Sequence, residues 1–183
     1  MKRLLALPLA ALLMLSGCTN FTAHTVSEGT LERYLMNMVA GFDPADATGL
    51  PLNVSLKSAK VTLGPDGRQV ALLDVSGQVA VDALFARLPV DVALKLEGAP
   101  VYDSSEKAVF IRQLRLLEGS IDTPLYRGDL APVTNSVLEA VSYLLDNTPV
   151  YRLDETDPRQ RMLGMVPLDI RVAPGRLEFV PRD

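Results

Sequence analysis

Cys18 is the only thiol in the chain. It closes Leu15-Ser16-Gly17-Cys18, directly behind an apolar run from Leu4 to Leu15 that opens with Lys2-Arg3. A basic start, a short apolar stretch and small residues before a cut are the three parts of a secretory leader. A cysteine at the first position past that cut predicts transfer of a diacylglyceryl group to its sulfur. Removal of residues 1–17 and acylation of the new amino terminus follow. A membrane span is excluded by length, since a bilayer needs roughly 20 apolar residues. A thiol packed as a small hydrophobe is the bland alternative, and the leader in front of Cys18 argues against it. Several acyl chains, at ~0.8 kcal/mol per buried methylene, hold a protein on a membrane without dissociating. Thr19, not Asp, follows the cysteine. Asp at that position tends to retain Gram-negative lipoproteins in the inner membrane, so the expected location is the outer membrane, periplasmic side.

Beyond Cys18 the chemical inventory is thin. His24 is the one histidine, and its place on the presumptive tether marks it as a solvated linker residue. A catalytic histidine needs a nucleophile and an orienting acid fixed around it. One histidine and one acylated cysteine rule out the usual zinc sites, and no nucleophile elbow, phosphate loop or dinucleotide fingerprint occurs. Asp154, Glu155 and Asp157 could in principle meet a hard cation, but calcium wants six to eight oxygens in a defined loop. They read as a solvated turn, as do Asp43 and Asp46. Arg127-Gly128-Asp129 matches an adhesion tripeptide and is better explained as a turn and a helix cap. Asn53-Val54-Ser55 fits a glycosylation triplet that a bacterial leader makes irrelevant. No catalytic residue, metal or cofactor is expected, and the chain is read as a non-enzyme.

Composition points the same way. The formal charge is −4, and losing Lys2 and Arg3 with the leader takes it to −6. No cationic face of the kind that nucleic acid requires can be built. Tryptophan is absent and aromatics are 5 % of residues, so the core must be aliphatic. With the single thiol acylated, no intrachain disulfide forms, and stability in an oxidising compartment rests on packing. The mature length suits one domain, here residues 27–183 behind a tether of residues 18–26.

The elements follow from periodicity. Ser27 is placed as an N-cap, with Glu28 and Glu32 near the positive end of a helix. Leu31, Leu35, Met38, Val39 and Phe42 recur at helical spacing, and Gly41 with Asp43-Pro44 ends it. Then the period becomes two. Leu52, Val54 and Leu56 give way to Ala59, Val61 and Leu63 after a one-residue slip at Lys57-Ser58, which predicts a bulge or a break. Gly64-Pro65-Asp66-Gly67 is a turn. Leu73, Val75, Gly77, Val79 and Val81 share one face of the next strand, and Leu84 to Arg87 make a wider connection. Val90, Val92, Leu94 and Leu96 point inward from a third strand. A fourth, from Ala108 to Gly119, carries Phe110, Leu114 and Leu116 on one side, with Arg112 and Leu117 blurring the pattern.

A second helix starts with Asp129 as N-cap and tolerates Pro132 in its first turn. Its apolar stripe is Val133, Val137, Leu138, Val141, Leu144 and Leu145, and it stops at Asn147 before Pro149. A short strand at 150–153, a polar loop at 154–158 and strands carrying Val166 to Val172 and Leu177 to Val180 complete the chain. Sequential strands joined by tight turns argue for an antiparallel sheet with one wet face. The fold class is α+β.

The order of these segments resembles the YceB-like family of bacterial lipoproteins, which has no assigned activity. The residues that carry the resemblance are Thr25-Val26-Ser27-Glu28, Gly49-Leu50-Pro51, Ala99 to Asp103, Glu106 to Phe110, Thr148 to Leu153 and Val172 to Gly175. That family in turn looks like the tubular lipid-binding (TULIP-like) group. The resemblance implies a curved antiparallel sheet wrapped around a long amphipathic helix, Asp129–Asp146, with a short N-terminal helix and room for acyl chains between. It carries over no catalytic residues.

The apolar faces admit two readings. In one, Leu73, Val75, Val79, Val90, Val92 and Leu94 on the sheet oppose Val133, Val137, Leu138, Val141, Leu144 and Leu145 across a groove that takes a lipid. In the other they close on each other as a solid core, and the chain is an envelope scaffold acting through protein partners not identifiable from sequence. Either way the membrane is met through the acyl anchor, and nucleic acid is not a partner.

Overall fold

The computed structural model describes residues 24–40, 53–83, 86–123, 126–129 and 134–182. Side chains are described for these except 39–40, 53–54, 79–83, 86–89, 123, 126–129 and 134–140. Nine strands and three α-helices occur among them: β1 (Thr25–Ser27), α1 (Glu28–Ala40), β2 (Asn53–Leu63), β3 (Ala71–Ala83), β4 (Ala86–Asp103), β5 (Ala108–Thr123), β6 (Tyr126–Asp129), α2 (Thr134–Asn147), β7 (Tyr151–Arg152), α3 (Pro158–Leu163), β8 (Leu168–Ala173) and β9 (Arg176–Pro181). All pairing is antiparallel. The large sheet runs β2-β3-β4-β5-β6, with β7 also on β5, and the small one runs β1-β9-β8.

Long strands need devices that keep one face apolar. The slip at Lys57-Ser58 is a bulge: β2 and β3 lose register between Leu56 and Ser58, so Leu56, Ala59, Val61 and Leu63 stay on one face. Two further irregularities separate β4 from β5, between Lys95 and Leu96 and between Glu97 and Ala99. The second coincides with Gln113, which sits at φ +55. The inserted residue changes the phase of β5. Val109, Ile111, Leu114 and Leu116 face the core, and Phe110 is buried on the opposite face, with the Arg112 guanidinium 4.8 Å over its ring. The expected grouping of Phe110 with Leu114 and Leu116 is therefore corrected. β3 and β4 remain in register to Ala83↔Ala86, so Ala86 and Arg87 of the wider connection expected at Leu84 to Arg87 belong to β4.

The core cluster combines Leu31 and Leu35 of α1, Val61 and Leu63 of β2, Ala71 and Leu73 of β3, Leu94 and Leu96 of β4, Val109 and Ile111 of β5, Leu145 of α2, and Leu168, Val172, Leu177 and Phe179 of the small sheet. Apart from the buried Phe110, the other face of the large sheet is largely wet and threaded with ion pairs, among them Lys57–Asp91 and the double pair of Glu97 with Arg68 and Arg115. Gly98 is inward and without room: a Cβ there would lie 2.4 Å from Ile111 Cγ2.

The helices come closest to the two outer long strands, α1 to β2 and α2 to β5. Along β2 the fit is specific. Glu28 accepts from the Leu63 N–H at 2.8 Å and Glu32 from the Val61 N–H at 3.0 Å. Four residues of helix rise about 6 Å and two residues of strand about 6.8 Å, so carboxylates at i and i+4 match alternate amides of a free strand edge. Edge amides satisfied in this way no longer invite another chain. The expectation that Glu28 and Glu32 serve the helix's own positive end misses this role.

α2 begins at Thr134, and Asp129 belongs to β6, paired with Ser120. Asp129 is thus not the helix cap, although the helix ends at Asn147 as expected. The small sheet is fastened to the large one through Gln69, whose amide donates to the Val172 carbonyl at 2.8 Å and accepts from its N–H at 2.9 Å. Gly64, at φ +62, lies against Ala173, where a Cβ would meet the carbonyl carbon at 2.9 Å.

Candidate functional site

The sheet face proposed to meet a ligand runs from a closed pole to an open one. β3 and β4 pair Ala71↔Gly98, Leu73↔Leu96, Val75↔Leu94, Gly77↔Val92 and Val79↔Val90. Near the β2–β3 turn everything is sealed: Leu63, Ala71, Leu73, Leu96, Val109 and Ile111 are at most 2 % exposed. Leu94 stands at 9 %. Val75, Val92 and, opposite Val92, Ile121 are only half-buried against the cluster, and Val90 is half-buried too. The apolar row continues along the strands while its cover thins.

Leu73, Leu94 and Leu145 are core residues. Val75, Val92 and Val141 flank that core, and Leu144 is half-buried. Val79 lies on β3, and Val137 and Leu138 on α2, by backbone; their side chains, all of Val133, and Cys18 fall outside the described residues. The structure thus brings Leu73, Val75, Val92 and Leu94 together on one face, with Val141 and Leu145 of α2 packed against the same core.

His24, where the described residues begin, lies at the closed pole. His24 is part of the folded body and is not a solvated linker residue. Its carbonyl accepts from the Phe179 N–H at 2.9 Å, and its ring lies 5.5 Å from that of Phe179. Its Nε2 donates to the Tyr151 hydroxyl at 2.8 Å, which donates onward to Gln160 Oε1 at 2.9 Å. Thr25–Ser27 then pairs with β9, so the tether expected through residue 26 ends before His24. Burial holds the His24 pKa below its ordinary value, and Asp157 pulls the other way. Burial, then nearby Tyr34, Asp154 and Asp157, push Tyr151 up to about 12. A neutral imidazole donating to a phenol that stays protonated is a clamp. It offers no activated nucleophile.

The loop carboxylates are engaged locally. Asp154 accepts from the Thr156 N–H and hydroxyl, Glu155 pairs with Lys107, and Asp157 caps α3 through the Arg159 N–H at 2.9 Å. Among the described residues no group of three or more His, Cys, Asp or Glu could hold a metal ion. A separate open hollow of about 420 Å³ lies between α1 and β2, lined by Glu32, Arg33, Met36, Asn37, Ser58 and Ala59. Sequence reasoning missed His24, Tyr151 and Gln160 because their contacts span up to 127 residues. It missed α3 too, although Asp157-Pro158 is a cap followed by a first-turn proline.

Two sets of relatives bear on this arrangement. The uncharacterized lipoprotein YceB of Escherichia coli (strain K12) is 20 % identical over 169 residues, spanning 90 % of this chain and 89 % of the relative. Its namesake from Salmonella typhimurium (strain LT2) is 19 % identical over 166 residues, with the same coverage. Both are named as lipoproteins, which implies anchoring to a membrane by lipid. The family described as "Protein of unknown function (DUF1439)" matches residues 26–176, a span that starts inside β1 and stops at the first residue of β9, and the chain belongs to that family.

Proposed function

We propose that the chain is a periplasm-facing lipoprotein of the outer membrane, acylated at Cys18, that holds or shields an apolar ligand, a lipid, between its curved sheet and its helices. No bond is made or broken. Burial is the whole mechanism, with each methylene of the ligand contributing about 0.8 kcal/mol. The observation that carries this reading is the thinning cover over one continuous apolar row, from Leu73 and Leu96 through Leu94 to the half-buried Val75, Val92 and Ile121. A solid core would keep such positions sealed to the end of the strands. α1 packs chiefly along β2 and α2 along β5, and in this reading the trough lies over β3 and β4 between them. Sites of this kind are mostly apolar with few polar determinants, which fits an aliphatic lining that selects chain length more than head group.

Native mass spectrometry of the chain from Thr19 onward, purified from cells, tests the proposal. The expected result is a population heavier than the polypeptide by one lipid, lost in a Val92→Asp variant that still unfolds cooperatively. A bare polypeptide mass in every preparation, with Val92→Asp as damaging as a change in the sealed core, would overturn it. That outcome would leave a non-enzymatic scaffold with a filled interior that works through protein partners.

A further inference from the structure

We infer that the α3 segment, from Arg159 to Val166, is the face that lies on the phospholipid surface to which the chain is anchored. The inference rests on acylation at Cys18. Five residues separate Cys18 from His24, a reach of at most about 20 Å even when fully extended. His24 is fixed in the body by Tyr151 and Phe179, so the surface around it must stay near the bilayer.

That surface is where α3 projects. Tyr151 joins His24 directly to Gln160 of α3. Within six residues of Gln160 the chain exposes Met162 at 63 %, Met165 at 72 % and Val166 at 43 %. These are the two most exposed large apolar side chains among the described residues, with a third beside them. They are held out by a tied backbone: Leu163 is buried beneath them, the Met165 N–H donates to the Met162 carbonyl, and the Val166 N–H donates to that of Leu163.

Charge agrees with a lipid surface. Three cations next to this segment are matched, Lys107 with Glu155, Arg152 with Glu106 and Arg182 with Asp169. The exposed guanidinium groups of Arg159 and Arg161 have no ion-pair partner among the described residues. Flexible thioethers flanked by free cations form a small interfacial foot, in which apolar groups enter the headgroup region and arginines meet lipid phosphate.

The absence of tryptophan from the chain makes the test clean. The acylated protein, its Cys18 modification checked by intact mass, is placed in phosphatidylethanolamine–phosphatidylglycerol vesicles with brominated or plain acyl chains. A Met165→Trp reporter should lose about half its emission in the brominated vesicles. A Leu117→Trp reporter, on exposed β5 surface far along the strand, should lose none. Adding Arg159→Glu and Arg161→Glu should return the Met165→Trp signal toward that of Leu117→Trp. Acylated protein in which both reporters are quenched equally, or not at all, would overturn the assignment of the face and leave the anchor standing. A chain without acyl mass would overturn both.

Discussion

The two ends of the same sheet are built on different rules. At the end where the tether joins, three layers meet. The β2–β3 turn abuts the β8–β9 turn through Gly64 and Ala173, Gln69 stitches the sheets together, and an aromatic group of His24, Tyr34, Tyr102 and Tyr151 surrounds or adjoins Phe179. At the other end, the same strands continue with valines and isoleucine inward but only half-buried. The first end makes a fixed structure out of a short chain without disulfides. The second leaves Val75, Val92 and Ile121 half-buried among the described residues, the surface assigned above to a ligand. One protein thus keeps stability and the proposed binding in separate stretches of the same strands.

Substitutions along the sheet test that division, and the largest effects belong to the sealed pole. Phe179→Ala, at a position with no exposure, should cost about 3–5 kcal/mol, read from urea unfolding. Gly98→Ala should cost about 1–3 kcal/mol, because the new methyl collides with Ile111 Cγ2, which is held at a β-branched carbon close to the backbone. Glu28→Ala should cost about 1–2 kcal/mol by leaving the Leu63 amide without its acceptor. Pairing it with Glu32→Ala should add concentration-dependent association as the β2 edge is uncovered, visible in light scattering. Val92→Ala, by contrast, should cost under about 1 kcal/mol. Equal losses for Val92→Ala and a sealed-core variant would erase the distinction between the poles.

The smallest effect is a pH slope. The folded pKa of His24 lies below its ordinary value, so the unfolded chain takes up its proton first as pH falls. The stability that neutral His24 contributes is present in full above its unfolded pKa, near 6.5, and is lost as pH drops through that value toward the lower folded one. Unfolding midpoints at pH 7.5 and 5.5 should differ in that direction, and His24→Gln should flatten the difference.

Sequence pattern was a good guide wherever a period was local. The one-residue slip at Lys57-Ser58 announced its bulge, the Gly64–Gly67 turn stands where its residues demand, and Leu177 and Phe179 face inward from β9 as alternation requires. It failed where a local signal had a rival use. Asp129 looked like a cap because a proline and an apolar stripe follow, but β5 claims it first through Ser120. The phase of β5 was unreadable across Gln113, since one left-handed residue reverses the alternation until the other irregularity, at Leu117, restores it. His24 had no neighbour in sequence to mark it, and all its ring partners arrive from the far end of the chain. Of the proposed lining, Leu73, Val75, Val92 and Leu94 were legible as one face. Which of them would be sealed was not, because that depends on the small sheet, whose docking no period encodes.

The geometry of attachment has a directional outcome. β4 counts eighteen residues, Ala86–Asp103, which at about 3.3 Å each can carry its far tip some 60 Å from the hairpin beside the tether. With the proposed anchor on Cys18, the amino terminus would leave from the plugged extremity, and the thinly covered extremity would point away from the host leaflet, across the aqueous gap. Any hydrocarbon leaving that mouth would emerge facing whatever lies opposite and not the bilayer underfoot.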